Sequence, residues 1–280
     1  MTHQALSLTP LPLQFSQREE LVAQVLALSP DLTAMDDDPV ASCVSDIVGG
    51  ADEAAMALQL WPVADYGKTR NYLNGAVSGL SPYVRHGVLT PATLKQACLV
   101  QQSLDEAQKL LQQLSWRDYF HHLAQLNPAD LWRDIEPYKT GFVASDYSAE
   151  LPADLMRAQT PDAFINQLIE QLYTQGYLHN HARLYLASYL VHWRRVRWQA
   201  GAQWMLGHLL DGDLASNNLS WQWVASTFSS KPYIFNLDNV VKFAGQPHTF
   251  DLSPAHNPSL AASYETLQRQ LFPNLGGDHV

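Results

Sequence analysis

The run from Asp211 to Trp223, DGDLASNNLSWQW, places two aspartates, two adjacent asparagines and two tryptophans within thirteen residues. An aspartate accepts from a sugar hydroxyl or pairs with an arginine, and asparagine amides both donate and accept. Gly212, between Asp211 and Asp213, suits a helix end where backbone comes close to a ligand. A capped helix joint would account for DGD alone, but Asn217, Asn218, Trp221 and Trp223 go beyond what a joint needs. Eight tryptophans in 280 residues exceed ordinary packing requirements. Large aromatics in excess fit a flat ligand, electron transfer or a recognition surface.

Two other runs carry chemistry-bearing residues. HWRRVRW, residues 192–198, sets Arg194, Arg195 and Arg197 between two tryptophans. That grouping either pairs with phosphate and stacks on bases or forms the solvated face of a helix. HNH at 179–181 is not expected to bind metal, because helical residues two apart diverge and no further ligand stands at zinc-like spacing. His121 and His122 diverge for the same reason. Neither a GxSxG elbow nor a Walker loop is present, so hydrolases of that type and P-loop enzymes have no support.

Helices must position these groups. Ser16 with Glu19 forms a capping-box pattern ahead of LVAQVLAL, and an acidic, turn-rich connection comes after it. Thr90-Pro91 and Thr160-Pro161 each read as an N-cap with proline at the first helical position. After the second, Phe164, Ile165, Leu168, Ile169 and Leu172 recur at helical spacing, with Gly176 as the stop. SLDEAQKLLQQLSWRDYFHHLAQ reads as one long amphipathic helix. Strand signals are nearly absent, and VVKF near position 240 is too short to count. The expectation is an all-α protein divided into an N-terminal helix and acidic connection over 1–48, a helical domain over 49–245, and a loop with a short helix over 246–280.

Composition narrows the class. A net charge of -10 excludes general attraction to nucleic acid, so any DNA contact must be local. Two cysteines, Cys43 and Cys98, fit a reducing compartment and cannot build a disulfide framework. No secretory leader and no membrane-length apolar run is evident, so a cytoplasmic protein without a membrane partner is expected.

Taken in order, GLSPYVRHGVLTP, LSWRDYFHHL, GYLHNHARLYLASYL and DGDLASNNLSWQWVAST resemble the FAD-binding helical domain of the cryptochrome/DNA photolyase family over about residues 49–240. The resemblance implies FAD as cofactor. Asp211 and Asp213 would contact the flavin edge and its surroundings, with Arg183 in the same network. Asn217 would face flavin N5, and Asn180 would lie beside the ring and ribityl chain. Tyr66, Ser78, Leu80, Ser81 and Arg117 would line the phosphate and adenine side. Trp221 would be the nearest electron donor and Trp198 the second; a third tryptophan has no clear match, and the corresponding loop offers Tyr147 and Tyr138.

Departures from the family pattern bear on function. The lesion-pocket glutamate is replaced by Gln113, the methionine by Leu184 and one tryptophan by Leu110, while Trp116 and Trp223 remain. A glutamine hydrogen-bonds a base but cannot deliver a proton. A phosphate-contacting arginine is replaced by His181, Arg70 and Arg117 survive, and Val77 stands where threonine is usual. Nothing ahead of Gly49 is long enough for the family's α/β antenna domain, so light absorption through flavin alone is expected, with an antenna or signalling partner left open. The leading expectation is a blue-light-reducible flavoprotein with electron flow from Trp198 and Trp221. A DNA photolyase, a FAD-dependent lyase contacting DNA through Arg70, Gln113, Trp116, His181, Leu184 and Trp223, is the second. A flavin-free helical interaction module is the third.

Overall fold

The computed structural model of the chain describes residues 45–275, together with six residues between 17 and 27. Residues 1–44 and 45–280 separate into two units. In the first, Glu19, Glu20, Ala23, Gln24 and Ala27 are helical and exposed, at the spacing of one helix face. The Ser16 cap and most of the acidic connection lie outside the described residues.

The second unit is built from helices. In chain order they are α1 (Ala51–Leu60), α2 (Val63–Thr69), α3 (Ser81–Arg85), α4 (Pro91–Gln101), α5 (Leu104–Leu126), α6 (Ala153–Met156), α7 (Ala163–Gln175), α8 (Asn180–Ser188), α9 (Trp198–His208), α10 (Leu214–Ala225), α11 (Leu237–Ala244) and α12 (Tyr264–Leu271). Among the described residues there is no strand, only an isolated parallel bridge between Ser148 and Val196. The all-α expectation holds, and VVKF falls within α11.

Local signals set most boundaries. Thr90 Oγ1 accepts from Thr93 N at 3.0 Å, with Pro91 opening α4. Ser103 and Glu106 close a reciprocal capping box at the head of α5, which runs 23 residues. α7 ends at Gly176, whose φ of 59° is the left-handed conformation glycine adopts without penalty. Its start differs from expectation: Thr160 Oγ1 is taken by Asn166 Oδ1 at 2.8 Å, and the helix begins at Ala163. Phe164 N is capped by Asn257 Oδ1 at 2.8 Å, a partner 93 residues away.

The main core contains the periodic face of α7, with Phe164, Ile165, Leu168, Ile169 and Leu172 all fully buried, packed with residues of α8, α9 and α10. A second core gathers Trp61, Leu80, Tyr83, Leu94, Cys98, Ala107 and Leu110 from α1 to α5. Leu110 is therefore a packing residue. A third small core, Leu131, Ala215 and Leu219 with Phe120 and Leu123, joins the end of α5 to α10.

HWRRVRW is neither a solvated helix face nor an open basic patch. A π-helical turn at Tyr189–Trp193 ends there, and Arg195 takes a φ of 51°. Arg194 pairs with Asp154 at 2.9 Å, Arg195 lies 3.8 Å from the Phe142 ring centroid, and Arg197 Nε donates to Tyr147 O at 3.2 Å. The three arginines fasten the 142–154 segment.

His192, in the same turn, has no exposed surface; its Nε2 meets Val224 O at 3.0 Å, and burial pushes its pKa down to about 3. The unfolded chain takes up this proton near 6.5 while the folded chain stays neutral, so stability is lost as pH falls below 6.5. At about pH 5 the linked loss is about 2 kcal/mol. Denaturant unfolding at about pH 7.5 and pH 5 checks this, and His192→Leu should flatten the dependence by about that amount.

Candidate functional site

Three helices meet at a cavity of about 110 Å³ lined by Asn180, Arg183 and Leu184 of α8, Met205 of α9, and Asn217, Trp221 and Val224 of α10. Asp211 and Asp213 enter from the turn between α9 and α10. A Cβ on Gly212 would stand 3.0 Å from Leu206 O and 3.1 Å from Leu209 O, so a side chain would crowd the turn that aims the two carboxylates.

The two aspartates are held differently. Asp211, with only 3% of its side chain exposed, receives Arg183 Nη2 on both oxygens at 2.7 and 3.0 Å. Arg183 is fixed in turn by Nε donating to Leu178 O at 2.9 Å and by the Tyr177 ring 5.4 Å away. Asp213 caps α10 by accepting from Ser216 N at 2.9 Å, and its other oxygen meets His121 Nε2 at 2.7 Å and Arg117 at 3.5 Å. Burial opposes ionisation of Asp213, but hydrogen bonds from Ser216 and His121 outweigh it and hold the carboxyl below its ordinary range.

The asparagine pair acts as one unit. Asn218, fully buried, donates to Leu131 O at 2.7 Å and so turns its Oδ1 towards Asn217. Asn217 Nδ2 then donates to Asn218 Oδ1 at 2.9 Å and to Ala202 O at 3.0 Å. With the amide nitrogen committed, Asn217 Oδ1 is the free polar atom, an acceptor with no hydrogen bond among the described residues. Trp221 closes the cavity with 2% exposure, its ring edge laid against Gly201 of α9. Trp198, three residues before Gly201, has no exposed surface.

The structure thus brings together Asn180, Arg183, Leu184, Asp211, Asp213, Asn217 and Trp221, and links Arg117 to them through Asp213. It does not bring Tyr66, Ser78, Leu80 or Ser81 to the cavity wall. Tyr66 packs edge-on to Trp61 with centroids 5.6 Å apart, and Ser78 Oγ accepts from Leu80 N at 3.2 Å. The Leu80 side chain is fully buried in the second core, which leaves only its backbone for a ligand. Ser81 opens α3, and that helix is tied to the aspartate turn: Arg85 Nε donates to Gly212 O, and His86 Nε2 meets Leu210 O at 2.9 Å.

The residues expected at a lesion pocket divide in the same way. Trp116 and Trp223, 48% and 43% exposed, line an open groove of about 670 Å³ with Tyr119, Phe120 and Phe228. Gln113 is half-buried outside that groove, and Leu184 belongs to the cavity. His181 lies between two near-parallel rings, 6.0 Å from His179 and 5.5 Å from Phe243. Burial lowers its pKa, followed by the charge of Arg70, so the ring is neutral and a poor substitute for an arginine on phosphate. Arg70 ends α2, its N–H on Tyr66 O. Sequence reasoning missed Tyr119, Phe120 and Phe228. The first two were signalled by their i+3 and i+4 spacing from Trp116, which places them on one face of α5.

No group of metal ligands occurs among the described residues, and none of their helices is long and apolar enough to cross a membrane. The cavity fits the edge of a flat polar ring: carboxylates, an arginine and a free amide carbonyl converge while Leu184, Ala187, Met205, Leu209 and Val224 supply an apolar wall. Its volume is below the roughly 300–1,000 Å³ of a typical cofactor site, so only one end of a larger ligand is enclosed there.

Comparison with known proteins converges on one group. Residues 110–253 match the family described as the FAD binding domain of DNA photolyase. A deoxyribodipyrimidine photo-lyase of Streptomyces griseus is 33% identical over 211 residues, covering 71% of this chain and 45% of that protein. A cryptochrome DASH of Vibrio parahaemolyticus is 29% identical over 199 residues, covering 67% and 44%. In structure, a cryptochrome from Synechocystis superposes with a TM-score of 0.64 at 24% identity over 82% of this chain and 52% of that one. An archaeal photolyase from Sulfolobus tokodaii, solved with two FAD molecules, superposes with a TM-score of 0.61 at 21% identity over 82% and 57%. The chain spans less than half the length of the two curated relatives.

Proposed function

The chain belongs to the family of the FAD-binding domain of DNA photolyase, and from that premise we propose that it is a blue-light-reducible flavoprotein fed with electrons by Trp221 and Trp198. The observation that carries this reading is the convergence of Asn180, Arg183, Asp211, Asp213, Asn217 and Trp221 on one cavity. FAD when bound supplies a ring that absorbs blue light and accepts an electron. Asn217 Oδ1 is the atom suited to accept a hydrogen bond from a ring N–H, because both protons of its amide are already placed. Asp211 and Arg183 would hold the polar edge of the ring system, and Arg117, Ser78 and Ser81 the remainder of the dinucleotide. Trp221, on the wall of the same cavity and nearly sealed from solvent, would be the donor nearest a bound ring. Trp198 then refills it across Gly201. We place this chemistry in the cytoplasm, in keeping with the reducing compartment that the cysteine usage fits.

The test is a visible absorption spectrum of the purified protein, taken before and after blue illumination with reductant present. A flavin band that bleaches under light is expected. Trp221→Phe should keep the band and lose most of the bleaching. A protein that takes up no flavin even when FAD is added would overturn the reading.

The aromatic groove supports a second reading, repair of a DNA lesion. Trp116 and Trp223 offer stacking faces worth about 1–3 kcal/mol per base. A flipped base could be held there. Gln113, lacking an acidic proton, and the net charge of -10 weigh against it. Return of dimer-containing oligonucleotide to native sequence under blue light, lost in Trp116→Ala, would establish it.

A further inference from the structure

The second expected donor of the electron relay, Trp198, has its indole N–H held by a carboxylate. Trp198 has no exposed surface, and Nε1, the one polar atom of its side chain, donates to Asp134 Oδ1 at 2.6 Å. The same oxygen accepts from Gln199 Nε2 at 3.0 Å. Asp134 is half-buried and lines an open cleft of about 440 Å³ with Tyr138, Arg197 and Gln199. A carboxylate therefore stands between a sealed indole and solvent.

We propose that Asp134 is the proton acceptor of Trp198: as an electron leaves the indole, the Nε1 proton crosses the existing hydrogen bond to the carboxylate and from there reaches the cleft. The proposal rests on the reading that Trp198 is oxidised during light-driven electron flow. Trp198 gives one electron to oxidised Trp221, which returns to its resting state; the primary oxidant is a photoexcited flavin. Loss of that electron leaves an indole radical cation, a far stronger acid than indole. Its N–H bond breaks and an O–H bond forms on Asp134, giving a neutral indolyl radical and a protonated carboxyl. Charge balances, and the proton leaves to water through the cleft.

The other groups at the cleft do not compete for this role. Arg197 is a cation, Gln199 already donates to the same oxygen, and the Tyr138 hydroxyl is not a base near neutral pH. The short, charge-assisted geometry needs no rearrangement before transfer. Back transfer to Trp198 must then recover the proton as well, which prolongs charge separation. Asp134 touches the oxidised ring itself, so it is a catalytic residue of the relay.

The test oxidises Trp198 without flavin. A photogenerated ruthenium(III) polypyridyl complex serves as soluble oxidant for the full chain stripped of flavin, and transient absorption is read after subtracting Trp198→Phe. Asp134→Asn keeps an oxygen acceptor of the same size and removes the base. Wild type should yield the neutral radical promptly. In Asp134→Asn the radical cation should persist roughly a hundredfold longer, the scale of a lost general base. Asp134→Glu should restore deprotonation. The same species with the same lifetime in wild type and Asp134→Asn overturns the proposal and leaves the hydrogen bond as a loop anchor. Because the oxidant is external, an empty flavin site does not affect this result, whereas failure of flavin uptake or photobleaching is read separately in the absorption spectrum.

Discussion

Arg183→Met is expected to destabilise the protein by about 3–5 kcal/mol, the cost of leaving one member of a buried pair unpaired. The carboxylate of Asp211 has 3% of its side chain exposed and takes both of its short contacts from one guanidinium nitrogen. Methionine keeps the apolar stem of arginine and removes the guanidinium, so the stranded charge outweighs the packing loss. Urea unfolding of wild type, Arg183→Met, Asp211→Asn and the double variant separates the effects. The double variant should recover a large part of the loss, because the uncompensated charge is gone. A loss below about 1 kcal/mol in Arg183→Met would mean that Asp211 is rehydrated and the pair is not a structural unit. Flavin retention should fall in every variant, since the same pair faces the cavity.

The second large effect is expected at Gly201. A Cβ there would stand 2.5 Å from Trp221 Cζ3, closer still to Trp221 Cη2, and 3.1 Å from Leu190 Cδ2. Valine in place of glycine gains only a few tenths of a kcal/mol in helix propensity. Overpacking a sealed site costs about 3 kcal/mol or more when the neighbour is a rigid ring. Trp221 must swing into the cavity it lines, so Gly201→Val should lose flavin as well as stability, and Gly201→Ala should do so to a lesser degree. Thermal melts and flavin absorbance of the purified variants check both. A Gly201→Val protein with full flavin content and wild-type Tm would show that the Trp221 ring is not fixed where the structure has it.

The parts of this molecule that were legible in its sequence are those whose determinants are local. The α7 stripe from Phe164 to Leu172 encodes its own burial, Thr90 caps α4 through a residue three positions on, and Gly176 ends α7 with a conformation it alone adopts cheaply. DGDLASNN could be read as a site because Asp213 is itself the cap of α10, so carboxylates and amides are set at fixed offsets from one helix start. Features that were not legible depend on distant partners. The start of α7 is decided by Asn257, and HWRRVRW by Asp154, Phe142 and Tyr147. Leu80 sits in a motif expected at a ligand, yet its side chain is claimed by the second core. Which atom of Asn217 faces the cavity depends on Asn218 and Leu131, and no spacing rule contains that.

The segment from Asp130 to Lys139 has the polar, proline-containing look of a connector between α5 and α6. Its backbone is nevertheless gripped by α10: Asn218 holds Leu131 O, Gln222 Nε2 holds Asp130 O at 2.6 Å, and Gln222 Oε1 accepts Ile135 N at 3.1 Å. The helix that presents Asn217 and Trp221 therefore also sets the height at which Asp134 meets Trp198. For anyone splitting the chain, grafting a tag or varying loop length, this stretch behaves as a gauge block: one residue added or removed would put both ends of the relay out of alignment together.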